Sequence, residues 1–251
     1  RYFKMKNIKY TEINIKYSVI LSLCKTISIS GDSGSGKTTL SKMIQTKLKN
    51  SFILECDRYH KWERGDKKWE KMTHLNPEAN YLAKMEKDVF DLKVGNSIYQ
   101  IDYDHSTGKF TDKIKIHSKE NIIVCGLHTN YKQNGYTLSI FIDTDLKLKK
   151  KWKIERDIRE RGYSKEKIVN QIELRNLDYQ KFILPQMNSC NLIIRYTSLN
   201  EEIITILGIS SKLNYQIHGI ESVSRENYFW YQFENKDQFQ DIFLNLIENL
   251  L

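Results

Sequence analysis

Short apolar runs recur along this chain at residues 27–30, 51–56, 121–125, 138–143 and 191–197, each flanked by polar or turn-forming residues. Runs of this length, rich in β-branched residues, predict buried strands. Longer stretches with helical spacing lie between them. Leu40, Ile44 and Leu48 fall four apart, with Lys42, Lys47 and Lys49 on the rest of the turn, which predicts a helix with one buried stripe. Residues 145–160 and 164–182 also read as helices, with Gly162 as the C-cap of the first and Ser164 as the N-cap of the second. Strands alternating with helices predict an α/β fold: a mostly parallel central sheet flanked by helices. Residues 58–80 break the rhythm, being polar, charged and rich in Trp and His, and predict a long functional segment. From Leu213 onward the pattern predicts two strands, at 215–220 and 228–233, and an amphipathic helix over 237–250. The expected division is a main α/β domain over 1–212 and a small strand/helix appendage over 213–251.

Composition narrows this picture. The 251 residues suffice for one substantial core, and only two prolines with 40% hydrophobic residues argue for a continuous folded body. Forty basic against 31 acidic residues give a net charge of +9, which suits anionic partners such as ATP, phosphorylated metabolites or nucleic acid. The densest basic run is 147–153, whose ordinary explanation is a solvated helix face. No aromatic-interleaved RNA motif or reading helix accompanies it, so nucleic acid is not the expected partner. Cys24, Cys56, Cys125 and Cys190 lack C-x-x-C spacing and read as buried thiols of a reducing compartment. No apolar run is long enough to span a membrane and the start lacks a signal-peptide pattern, so the expectation is a cytoplasmic protein with no membrane partner. Arg1 is not an initiator, so the chain reads as a segment or a trimmed product. A homo-oligomer is compatible with all of this.

The chemistry enters at residues 31–39, Gly31-Asp32-Ser33-Gly34-Ser35-Gly36-Lys37-Thr38-Thr39, between the first predicted strand and the first predicted helix. The spacing G-x-x-x-x-G-K-[ST] is met by Gly31, Gly36, Lys37 and Thr38. Glycines let successive N–H groups turn inward onto phosphate oxygens, and the following helix adds its positive end. Lys37 brings a mobile charge to the outer phosphates, and the Thr38 hydroxyl is a ligand for Mg²⁺. A Gly/Ser-rich surface turn would give the same letters, but not the strand and helix on either side. The prediction is a nucleoside triphosphate site.

A wider resemblance begins at the second strand. Asp57-Arg58-Tyr59-His60, Arg64 and Thr73-His74-Leu75-Asn76-Pro77-Glu78-Ala79-Asn80 are followed by Tyr103-Asp104-His105-Ser106-Thr107-Gly108, Gly126-Leu127-His128 and Lys153-Ile154-Glu155-Arg156-Asp157 through Arg161-Gly162-Tyr163. In order and spacing these segments resemble the phosphoribulokinase/uridine kinase family of P-loop kinases, on its phosphoribulokinase branch, from about Ile27 to Thr197. The resemblance implies a P-loop kinase fold with a helical lid and ATP-dependent phosphoryl transfer to a hydroxyl of a sugar phosphate such as ribulose 5-phosphate, with Mg²⁺. It makes Asp57 the catalytic base and a metal contact beside Thr38, and it makes Lys37 and Asp157 catalytic. It adds Arg156 and Arg161 to the ATP-binding set formed by residues 31–39, and gives His60, Arg64, Tyr103, His105, Lys153 and Arg175 to the substrate. The residues alone leave alternatives: Asp57 as a helix cap, the lid charges as surface salt bridges, and Tyr103 and His105 as packing and structural groups.

The match has a departure. Where the family pattern has a metal-holding glutamate before Gly-Leu-His, this chain has Cys125, and a neutral thiol is a poor ligand for Mg²⁺. Arg58 likewise takes a place often acidic in one branch. Either Asp57, Thr38, phosphate oxygens and water suffice for the metal, or turnover is weakened and the chain is a nucleotide-binding regulatory protein. A uridine or nucleoside kinase is the further alternative within the enzyme class.

Overall fold

The computed structural model describes residues 24–132, 135–200 and 202–251. Its spine is an eight-stranded sheet. Five parallel strands stand in the order β2 (Ser51–Glu55), β5 (Asn121–Cys125), β1 (Lys25–Gly31), β6 (Leu138–Thr144) and β7 (Leu192–Leu199). The sheet then continues antiparallel through β8 (Glu202–Ser210), β10 (Tyr228–Phe233) and β9 (Val223–Arg225). All five predicted apolar runs are its parallel strands. A separate hairpin, β3 (Ile98–Asp104) with β4 (Lys109–Ile116), stands outside it. The helices are α1 (Lys37–Lys47), α2 (Leu82–Lys93), α3 (Leu146–Arg161), α4 (Lys165–Leu174) and α5 (Lys236–Leu250).

Side-chain alternation along the strands divides the core. Ile27 and Ile29 of β1 and Ile140 and Ile142 of β6 pack with Leu40 and Ile44 of α1 and with Phe239, Phe243 and Ile247 of α5. On the other face, Leu54, Ile122 and Val124 meet Tyr59 and the Met85, Val89 and Leu92 stripe of α2. Ser28 and Ser30 of β1 are buried polar residues, and Asn130 answers both, donating from Nδ2 to Ser30 Oγ at 2.8 Å and accepting from the Ser28 hydroxyl. Buried polar groups on a central strand need such partners.

Several boundaries differ from the sequence pattern. The helix predicted to run to 182 ends at Leu174 and continues as one turn, a wide π turn at Tyr179–Ile183 and a 3₁₀ turn at Leu184–Ser189. Pro185 lacks the N–H that a regular helix would give to Lys181. The strand predicted at 215–220 does not form. Tyr215, Ile217 and Ile220 pack on the core from an irregular segment, while Ile217 N–H donates to Tyr231 Oη at 3.1 Å and the short strand beside β10 is Val223–Arg225. The predicted strand at 228–233 and the following helix are present. Segment 213–251 thus adds two strands to the edge of the main sheet and lays α5 across one of its faces.

Candidate functional site

The C-terminal ends of the parallel strands open into a cleft of about 1170 Å³, the place where open α/β sheets hold their ligands. The loop after β1 forms one wall. Gly31, with φ 147°, leaves no space for a Cβ, which would stand 2.5 Å from the Ile142 carbonyl oxygen. Gly34, with φ 84°, sits under α3, where an added Cβ would lie 3.1 Å from Lys153 Cβ. Helix α1 then begins at Lys37 with no side-chain cap, so its first-turn N–H groups face the loop. This cradle suits phosphate oxygens. Lys37 Nζ donates to the Asp32 carbonyl at 2.6 Å, and burial pulls its ammonium below the usual range, opposed by Asp32 and Asp57. Ser33, Gly34, Gly36, Lys37, Thr38 and Thr39 line the cleft. Gly31 and Ser35 are buried beneath it, and the Asp32 carboxylate turns away to Lys149 Nζ at 2.7 Å.

The opposite wall comes from the turn after β2 and from segment 58–80. Asp57 follows β2 in the turn Cys56–Tyr59, with Oδ1 3.8 Å from His60 Nε2 and Oδ2 3.6 Å from His105 Nε2. Burial alone would raise its carboxyl, but His60, His105, Lys37 and Arg161 outweigh that and hold it below the usual carboxylate range. His60 packs among the rings of Trp69, His74 and Tyr103, with centroids 5.8, 4.7 and 5.9 Å away. Burial pushes its imidazole below the usual range, opposed by the Asp57 carboxylate. Arg64 is fixed by the tip of the β3/β4 hairpin: its Nη2 donates to the His105 carbonyl at 2.6 Å and its Nη1 to that of Ser106 at 3.2 Å. Gly108 leaves room for it, since a Cβ there would stand 2.4 Å from Arg64 Cβ.

The two helices α3 and α4 close the third side. Arg156 and Arg161 both reach Asp157 Oδ1, at 2.7 and 3.3 Å, and both line the cleft with Arg175. Asp157 itself is fully buried behind the arginines, so the carboxylate expected at the reaction centre positions guanidinium groups instead. Lys153, expected at the substrate, is likewise absent from the wall. Its stem packs on Gly34, and burial, with Arg175 nearby, draws its ammonium down to about 7. The basic run does not present a wholly solvated face, because Lys149 and Lys153, one turn apart, are turned inward onto the loop.

The structure adds residues that sequence reasoning passed over. Glu55, the last residue of β2, lines the cleft beside Asp57 with Oε2 3.8 Å from His105 Nε2. Its signal was an acidic residue at the end of an apolar strand. Trp69 and His74 complete the aromatic wall, their rings 3.6 Å apart. Lys149 was hidden in its basic run. The two departures also gain a context. Arg58 points away from the cleft, tying the turn to the hairpin through Asp102 at 3.0 Å and to the Glu55 carbonyl at 2.9 Å. Cys125 is on the wall, and burial pushes its thiol up to about 11, so it is neutral there. The oxygens of Thr38, Asp57 and Glu55 are hard donors of the kind Mg²⁺ takes. Among the described residues no cluster of three or more His, Cys, Asp or Glu is placed to hold a metal alone, so phosphate oxygens and water would complete its shell.

A glycine loop between the first strand and helix of a parallel sheet, roofed by arginine-bearing helices, defines a P-loop kinase fold. The model of the phosphoribulokinase/uridine kinase family matches residues 26–202, and the chain belongs to that family. It is 31% identical over 174 residues to a phosphoribulokinase of Synechocystis, covering 67% of this chain and 52% of that protein. It is also 31% identical over 192 residues to a uridine kinase of Borrelia duttonii, covering 74% of this chain and 93% of that one. The chain thus spans about half the length of the curated phosphoribulokinases it matches. Among solved structures, phosphoribulokinase from Rhodobacter spheroides superposes with a TM-score of 0.68 over 91% of this chain and 97% of its own, at 22% identity, a likeness of fold.

Proposed function

We propose that this chain is an ATP-dependent kinase that transfers the γ-phosphoryl group to a hydroxyl of a phosphorylated sugar such as ribulose 5-phosphate. The observation that carries this reading is that Asp57 lines one cleft together with the phosphate loop and with Arg64, Arg156, Arg161 and Arg175. In it, the loop N–H groups and Lys37 hold the ATP phosphates, and Thr38 with Asp57 faces the metal. Mg²⁺, when bound, neutralises charge on the outer phosphates. Asp57, ionised and close to His60 and His105, accepts the acceptor hydroxyl's proton. Arg156 and Arg161, held at fixed spacing by Asp157, stabilise charge on the transferring group. Arg64 and Arg175 line the same cleft, and a guanidinium suits the phosphate of an acceptor.

The arginines of the cleft, more than the ATP phosphates alone call for, favour a phosphorylated acceptor over a nucleoside, for which His60, Trp69 and Tyr103 would provide a surface. An ATP-coupled assay with ribulose 5-phosphate and with uridine, each with Mg²⁺, separates the readings. Turnover with the sugar phosphate is the expected result. Turnover with uridine alone would replace the acceptor, and ATP binding with no turnover on either would indicate the regulatory protein.

A further inference from the structure

We propose that Glu55 supplies the metal-directed carboxylate that Cys125 does not, so that Mg²⁺ bound with ATP is held from β2 and not from β5. This inference rests on the nucleotide site proposed above. Strands β2 and β5 are parallel neighbours, and their register pairs Glu55 with Cys125. Register partners in a parallel pair point to the same face about 4.8 Å apart. Both line the cleft with Thr38 and Asp57, so the carboxylate is displaced by one strand spacing, a distance the glutamate stem spans.

The local backbone keeps that carboxylate on the cleft. Cys56 turns into the core against Leu54 and Val124, while Glu55 and Asp57 on either side of it face outward. Arg58 fastens the turn by donating from Nε to the Glu55 carbonyl, and its own charge goes to Asp102. Gly126 fixes the neighbouring strand end, because a Cβ there would stand 2.4 Å from Cys56 Cβ. Glu55 is paired with His105, whose Nε2 stands 3.8 Å from Oε2, but that partner is itself 44% exposed and the glutamate side chain is 38% exposed, so the carboxylate is still open to the cleft. A hard carboxylate, shared with one exposed histidine, thus stands beside a neutral thiol that Mg²⁺ would not choose.

The test is Mn²⁺ binding, followed by electron paramagnetic resonance, to the full chain saturated with a non-hydrolysable ATP analogue. Glu55→Gln is expected to weaken metal binding about 10- to 100-fold, whether the carboxylate acts directly or through water. It should leave binding of the metal-free analogue within about twofold, as the loop contacts are intact. Cys125→Ala should leave metal affinity unchanged, and Glu55→Gln with Cys125→Glu should restore it. Unaltered metal affinity in Glu55→Gln would overturn the assignment, as would an equal loss in Cys125→Ala. A parent chain that binds no analogue would overturn the nucleotide site and this inference together, whereas a parent that binds analogue and Mn²⁺ no better than Glu55→Gln overturns the role of Glu55 alone.

Discussion

Asp57 and Asp157 show how two carboxylates in one kinase-like motif take different parts. Asp57 is about one-third exposed and faces the cleft, whereas Asp157 is fully buried and bonded to two arginines. Replacing Asp57 with Asn keeps the shape and removes the base, so kcat should fall about 10²- to 10⁴-fold, well beyond any rise in KM for ATP from the loss of its metal contact. Asp157→Asn should instead raise KM for ATP along with lowering kcat, since Arg156 and Arg161 lose their shared anchor. Steady-state kinetics distinguish the two. The buried histidines set a pH dependence at the same scale. Burial draws His128 down to about 4 and pushes His60 and His74 below the usual imidazole range. Below about pH 6.5 the unfolded chain takes up protons that the folded chain refuses, so stability falls as pH drops from there toward 4. For His128 alone the full loss is about 3 kcal/mol. Urea unfolding at pH 7.5 and pH 5 should show the loss, and His128→Asn should flatten it.

The phosphate loop and α3 behave as one unit. Lys149 on α3 holds the Asp32 carboxylate at 2.7 Å and places its ammonium 4.1 Å from the centre of the Tyr179 ring. Both partners of the pair are largely buried. Removing one leaves an uncompensated charge, so Lys149→Gln should destabilise the protein by about 3 kcal/mol. Asp32→Asn with Lys149→Gln should regain part of it, and a denaturation cycle over the four proteins measures the coupling. Little of this was legible in the sequence. Gly31 to Thr39 could be read because the needs of a phosphate are met by contiguous residues, and Gly162 and Ser164 because caps are local. The inward faces of Lys149 and Lys153 depend on where α3 lands, which a run of lysines does not reveal. Glu55 was masked for the same reason: only the register with β5 makes a strand-end acid the neighbour of Cys125. The apolar residues at 215–220 suggested a strand, but Tyr215, Ile217 and Ile220 pack on the core without strand pairing.

At the scale of the molecule, the question is whether 213–251 is an addition or a structural necessity. Its pattern breaks from the α/β alternation before it, which made it read as an appendage. Yet Tyr231, Phe233, Phe239, Phe243, Leu246 and Ile247 are buried in the same cluster as Ile27, Ile29, Leu40 and Ile44, which flank the phosphate loop on β1 and α1. A chain ended at Lys212 would uncover that face and leave β8, with Leu207 and Ile209, as an exposed apolar edge. Phe243→Ala, at the centre of α5, should cost about 3–5 kcal/mol, a large share of the stability of an ordinary domain. The truncated chain should therefore show no cooperative unfolding transition and no ATP binding, although every phosphate-loop residue is present. Circular dichroism melts and analogue titration of the truncated and full chains decide it. Cooperative unfolding of the shorter chain would make 213–251 dispensable, and its absence would mean that the cradle at Gly31 to Thr39 is held in shape from beneath by the last helix of the chain.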